Sequence, residues 1–360
     1  MITSPLVRRF LTWFVTLGRR SLLAVLSAAA FASTLCAAAS PSTDRLFLSG
    51  HDRDDAVPWD FRCSTGARAG EWGTIPVPSN WELHGFGTLS YHNASPADEG
   101  DYRRSFTAPA DWRDRRVFLV FDGVMTDTTV RLNGQAVGPV HRGGFYRFKY
   151  EVTQLLHPGS ENLLEVHVAE TSADESVNRA ERTGDYWNFG GIFRPVWLEA
   201  VPRDFIERVA IDARADGRFT ADVVVNGPGS SEAVTAQIMT LDGKQVGLPV
   251  SAKRSASGVV RLETRVDHPA LWSAETPHLY RVELELREGD RVVHRSSERF
   301  GFRTFEIRHG DGFYLNGHRI ILQGADRHSF NPESGRCLAE RDHREDIRLM
   351  REMNMNAVRM

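Results

Sequence analysis

From Asp44 to about Pro202 the apolar residues of this chain never recur every 3.6 positions, which removes amphipathic helices from that whole stretch. Short runs of strand length stand there instead. Val117-Phe118-Leu119-Val120-Phe121 is continuously apolar, as in an inner strand of a sandwich. Val130 and Leu132 alternate with polar neighbours up to Asn133-Gly134, a two-residue hairpin signal. Leu164, Val166 and Val168 alternate with Glu165, His167 and Ala169. The simplest architecture for residues 44–202 is a jelly-roll β-sandwich.

A second block, 203–302, keeps the period of two. Val234, Ala236 and Ile238 alternate before a turn at Asp242-Gly243. Tyr280, Val282, Leu284 and Leu286 alternate with charged residues, as in a strand with one wet face. Short strands at this spacing predict an immunoglobulin-like sandwich. The last block, 303–360, breaks the pattern. Asn316-Gly317 makes a hairpin turn, Arg319 to Gly324 reads as a buried strand, and a polar loop follows to Glu340. A helix is predicted from about Asp342 to Asn354, and Ala357-Val358-Arg359-Met360 begins a second strand. This β-α-β order is the opening of a parallel α/β unit, an incomplete (β/α)8 barrel. The fold class is therefore mostly β: a jelly roll, an immunoglobulin-like sandwich, then the start of a barrel.

Residues 1–39 stand apart from the fold. Arg8, Arg9, Arg19 and Arg20 precede an apolar stretch from Leu22 to Leu35 that is short for a bilayer, and Ala37-Ala38-Ala39 supplies small residues for a signal peptidase. Arg19-Arg20-Ser21-Leu22-Leu23 loosely fits a twin-arginine signal. An uncleaved anchor helix is the competing reading. Cleavage implies a periplasmic or extracellular protein with no membrane attachment, and takes the net charge from −3 to −7. With 44 basic against 47 acidic residues, no basic surplus calls for nucleic acid. Cys63 and Cys337 would be the remaining cysteines, expected as buried free thiols.

The order of short motifs resembles glycoside hydrolase family 2, the group of the large bacterial β-galactosidases. The first block carries Val77-Pro78-Ser79-Asn80-Trp81-Glu82, Tyr91-His92-Asn93, Tyr102-Arg103-Arg104, Phe121-Asp122-Gly123-Val124 and Asp185-Tyr186-Trp187, then Gly190-Gly191-Ile192-Phe193-Arg194. Leu271-Trp272 to Tyr280 follows in the second block. The third has Gly301-Phe302-Arg303, Asn316-Gly317, Arg327-His328 and Asn356-Ala357-Val358-Arg359. The resemblance implies a sugar-binding domain, an immunoglobulin-like domain and the start of a TIM barrel.

It also implies a retaining glycosidase acting on terminal β-galactosides or related β-glycosides in carbohydrate catabolism, with β-glucosides, β-glucuronides and β-mannosides as alternatives. Such an enzyme needs an acid/base carboxylate and a nucleophile about 5–5.5 Å apart. In the family both are glutamates, the first within an Asn-Glu pair, and this sequence has no Asn-Glu dipeptide. The chain alone is therefore expected to lack the catalytic pair. Glu345 and Glu352 read as solvated helix charges, and Glu333 as a loop residue that could line the pocket. What remains by resemblance is a substrate cradle of Asn93, Asp185, His328 and Arg359, with Arg327 and Arg359 as buried arginines orienting carboxylates. The alternative for Asp185 is an ion pair with Arg182 or Arg194. Trp187 would stack on a sugar face or belong to the core. Asp185 would also serve a sodium ion, and Na+ and Mg2+ are expected in a complete homologue. Asp326 departs from the family's usual asparagine. The expected partner is a β-linked sugar or oligosaccharide, with homo-oligomerisation left open. Two further readings stay open: a non-catalytic carbohydrate-binding protein, and a fragment complementing a separate barrel.

Overall fold

A computed structural model of the protein describes residues 40–91, 97–229, 231–255 and 257–360. The signal-peptide reading of 1–39 and the sugar contact assigned to Asn93 lie outside the described residues. The period-two stretches become two sandwiches, because each alternating strand must bury one face. In the first, a sheet of four strands runs Asp44–Phe47, Val196–Val201, Arg116–Phe121, Phe148–Glu151. It packs on a sheet of six: Gly73–Val77, Val57–Cys63, Glu99–Thr107, Glu161–Ala169, Asp127–Leu132 and Gln135–Ala136. Trp59, Phe61, Trp81 and Tyr102 fill the space between them. The two-residue turn forms where expected: Asn133 and Gly134 both take positive φ, 52° and 78°, as a hairpin turn matched to strand twist requires.

The uninterrupted apolar run has a specific cause. Val117, Leu119 and Phe121 face the jelly-roll core. Phe118 and Val120 face the other way, into a second cluster with Trp197, Val201 and Phe205. Phe205 opens the first strand of the next sandwich, so both faces of the run are covered.

That second sandwich pairs Phe205–Ala213, Arg218–Asn226 and Val259–Arg265 in one sheet, and Gln245–Lys253, Ala233–Thr240, Tyr280–Glu288 and Arg291–Phe300 in the other. Its core includes Phe219, Val223, Leu262, Val282, Leu284 and Phe302. His294 ties the two sandwiches together. Its Nδ1 accepts from the Ile206 N–H at 3.0 Å, and its Nε2 lies 3.0 Å from the Thr43 hydroxyl. Burial holds this imidazole down at about 4, so it stays neutral and able to accept.

The third region departs from expectation in one respect. Arg319 to Gly324 is not a single buried strand. His318–Ile320 turns back at Asn316-Gly317 to close a three-stranded antiparallel ribbon with Gly312–Leu315 and Phe305–Arg308. The parallel barrel strand is Gly324–Asp326, paired with Ala357–Arg359 across the helix Glu340–Glu352. Ile321 is 68% exposed and Leu322 50%. The helix likewise buries none of its residues. Apolar faces of this kind are covered only when further βα units close a barrel.

The loop after the first barrel strand is anchored. Gly335, Cys337 and Ala339 are buried. The Cys337 thiol donates to the Pro78 carbonyl at 3.3 Å, and burial pushes it up to about 12. Arg53 reaches Ser334 at 2.8 Å and Asp342 at 2.9 Å. Cys63 and Cys337 are both free and buried, as the sequence suggested.

Candidate functional site

A small antiparallel ribbon at one end of the jelly roll carries the first-domain side chains. Trp187–Asn188 pairs with Ser90–Tyr91, which sets Trp187 opposite Tyr91 with ring centroids 5.0 Å apart. Both rings are partly exposed, Tyr91 46% and Trp187 41%. Trp187 is therefore not a core residue. The Tyr91 hydroxyl donates to Asp185 Oδ1 at 2.5 Å, and this bond raises the Tyr91 phenol above its ordinary range. The ion-pair alternative for Asp185 is not the arrangement seen. Arg182 grips Glu170 at 2.5 Å, and Arg194 lies against the Phe193 ring at 5.0 Å.

The next ring along the ribbon reaches the barrel. Tyr186 lies 6.3 Å, centroid to centroid, from His328. His328 follows the first parallel strand, at the C-terminal end where barrel chemistry gathers. Register brings Arg359 to the same end: Asp326 pairs with Arg359, and the Arg327 N–H donates to the Arg359 carbonyl at 2.9 Å. Contrary to the expected burial, the Arg359 guanidinium is exposed, 3.5 Å from the likewise exposed Asp326, at the open end of the short second strand. Arg327 does orient a carboxylate, that of Asp346 on the barrel helix, 2.6 Å from its Nε, and it also contacts Ser329 and His343. It therefore fastens the loop to the helix. Glu333 is exposed in a turn and lines a different cavity, with His84 and Arg341.

Four supporting residues, Asn80, Arg182, Glu170 and Glu82, hold the site through contacts that their sequence spacing does not report. Asn80 joins the two halves of the site: its Nδ2 donates to the Gly190 carbonyl at 2.9 Å, while its Oδ1 accepts from the Arg336 N–H at 2.8 Å. Beneath the ribbon, Arg182 donates to the Phe189 carbonyl at 2.8 Å and to Glu170, and both charged side chains are buried. Glu82 receives the Gly190 N–H at 2.7 Å. Burial raises Glu82 well above the usual carboxylate range, and the Glu170 charge adds to it. Burial likewise raises Glu170 to about 8, against the pull of Arg182.

The sign of the pH effect follows. The folded state holds a proton on Glu170 that the unfolded chain has released, so this contribution is fully present below about 4.5 and is lost as pH rises through about 8. His294 acts in the opposite sense, but only between its unfolded value of 6.5 and about 4. Thermal stability is therefore expected to fall between pH 6.5 and 8, and Glu170→Gln to flatten that fall. A melting profile of the variant parallel to the parent's over this window would remove Glu170 as the cause.

Cation binding at Asp185 finds little support in the donor set. Among the described residues no three His, Cys, Asp or Glu side chains converge. One carboxylate beside one phenol falls short of the ~6 oxygens a hard cation gathers.

Comparison with known proteins adds the family. Residues 54–202 match the model of the glycosyl hydrolases family 2 sugar binding domain, 204–303 that of glycosyl hydrolases family 2, and 305–360 that of its TIM barrel domain. The chain belongs to glycosyl hydrolase family 2. Over 324 residues it is 33% identical to a β-galactosidase of Priestia megaterium, covering 80% of this chain and 30% of that protein. It is 27% identical to a β-glucuronidase of Bacteroides fragilis, covering 84% and 45%. The crystal structure of a Bacteroides uniformis β-glucuronidase superposes with a TM-score of 0.71 at 27% identity, covering 88% of this chain and 39% of that one. This family 2 chain thus spans about a third to a half of the length of these relatives. The family's sugar-binding domain and barrel opening are the two regions that Asn80, Tyr186 and His328 bring together.

Proposed function

We propose that this chain supplies the substrate-holding half of an exported, retaining β-glycosidase that acts on terminal β-galactosides or related β-glycosides. The observation that carries the reading is the approach of Tyr186, the neighbour of Asp185 in the chain, to His328 at the C-terminal end of the first barrel strand. A carboxylate held by Tyr91 through one oxygen keeps the other for sugar hydroxyls, and charge-assisted bonds to such hydroxyls are strong ones. Trp187, exposed beside Tyr91, offers an apolar face to a pyranose ring. His328 would hydrogen-bond a hydroxyl from the barrel side, with Arg359 next to it. The names of the relatives, β-galactosidase and β-glucuronidase, support a β-linked glycoside without choosing between the two.

The half-site by itself is expected to bind galactose too weakly for calorimetry, because the remaining hydroxyl partners would come from other barrel loops. In a protein with a complete barrel, Asp185→Ala is expected to weaken the bound sugar at least about tenfold, the loss of one bond to a charged group. Binding equal to the parent's would make Asp185 a structural partner of Tyr91 and remove it from the site.

A further inference from the structure

A cavity of about 320 Å3 opens where the jelly roll meets the loop that follows the first barrel strand. That volume is within the ~300–1,000 Å3 range of small-molecule sites. Its wall carries two arginines, Arg194 from the jelly roll and Arg336 from the anchored loop. Neither has a carboxylate partner among the described residues. Arg194 lies on the Phe193 ring and makes one long bond, 3.5 Å, to the Asp122 carbonyl. The Arg336 guanidinium is stacked between aromatic rings, 5.6 Å from Phe145 and 5.4 Å from Tyr186.

The acidic residues on the same wall are already engaged. Asp122 holds Arg147 at 2.6 Å, Glu340 holds Arg344 at 2.6 Å, and Asp52 accepts the backbone N–H groups of Asp54 and Glu340. His343 is bonded to Arg327, and His51 to Asp55. Burial, and beyond it the charges of Arg182 and Arg194, pull Arg336 below its usual range. Guanidinium groups withdrawn from water without a counter-charge are costly, unless an anion completes them. The planar fork of arginine matches an oxyanion with two oxygens, such as a carboxylate or a sulfate ester.

We propose that Arg194 and Arg336 form an oxyanion site at this junction, which takes the carboxylate or sulfate group of an acidic sugar. The stacking of Arg336 on Tyr186, whose ring neighbours His328, places the site next to the sugar cradle. All its residues belong to this chain, so binding there does not wait for the rest of a barrel.

Calorimetry on the full chain at low ionic strength tests this with five probes: D-glucuronate, galactose 6-sulfate, glucose, galactose and inorganic sulfate. At least one acidic sugar is expected to bind and the neutral sugars are not. Whichever acidic sugar binds more tightly identifies the group. Arg194→Gln and Arg336→Gln are each expected to weaken that binding at least about tenfold, with melting temperature and circular dichroism checked for both. Arg336→Lys, which keeps charge but loses the fork, should weaken it as well. Absence of acidic-sugar binding, equal binding of neutral sugars, or affinity unchanged in both glutamine variants would overturn the proposal. So would inorganic sulfate binding as tightly as the acidic sugars, which would leave an ion site only. The glycosidase reading fails separately: a complete enzyme that cleaved no glycoside would sink that reading and leave acidic-sugar binding by this chain untouched.

Discussion

Purified by itself, this chain is expected to leave aryl β-galactosides and aryl β-glucuronides uncut. Retaining chemistry needs two carboxylates about 5–5.5 Å apart across the scissile bond, one free to attack and one able to give a proton. The carboxylates around His328 are otherwise occupied. Asp185 is held by Tyr91, Asp326 faces Arg359, and Asp346 is gripped by Arg327. Arg348 bridges Glu345 and Glu352 on the helix, and Glu333 lies on another cavity. The difference in turnover is large: background against the ~1–1,000 per second of ordinary enzymes. A release assay with nitrophenyl glycosides reads it directly. Enzymatic turnover by the chain alone would assign catalytic roles to two of these carboxylates and overturn the half-site reading. Restored turnover on mixing with a separately supplied barrel would instead support complementation.

The second large effect is structural. Above about pH 8, where folded Glu170 carries its charge, Arg182→Ala is expected to cost about 3–5 kcal/mol, the usual penalty for leaving one partner of a buried ion pair uncompensated. Glu170 is fully buried, and Arg182 is both its counter-charge and the donor that holds the Phe189 carbonyl. Loss of Arg182 leaves Glu170 to take up a proton, and frees the segment that presents Asp185, Tyr186 and Trp187. Urea denaturation should show a lower midpoint with an unchanged slope. A double variant, Arg182→Met with Glu170→Leu, should regain much of the loss, because an apolar pair of similar volume carries no desolvation penalty. A single variant as stable as the parent would show that the pair contributes nothing net.

Sequence alone determined the strands, because their signal is local. A side chain in a strand points to alternate faces, so the alternations in 161–169 and 280–288 fixed which residues are buried without any knowledge of the partner strands. Asn133-Gly134 and Asn316-Gly317 fixed two hairpins, since a two-residue turn needs positive φ at both positions. The order of motifs across three regions was enough to point to the family, and the lack of an Asn-Glu pair was plain to read.

Only tertiary structure decided the rest. Val117 to Phe121 is apolar throughout because Phe205, far along the chain, covers its second face. Arg319 to Gly324 reads as buried, yet splits and lies exposed, because burial depends on neighbours that the run itself does not encode. Asn80 joins Gly190 to Arg336, and Arg194 meets Arg336 across a cavity, through separations that no periodicity reports. Whether an arginine is paired is a property of the space around it. The sequence supplies the charge, and the fold alone places or withholds the partner.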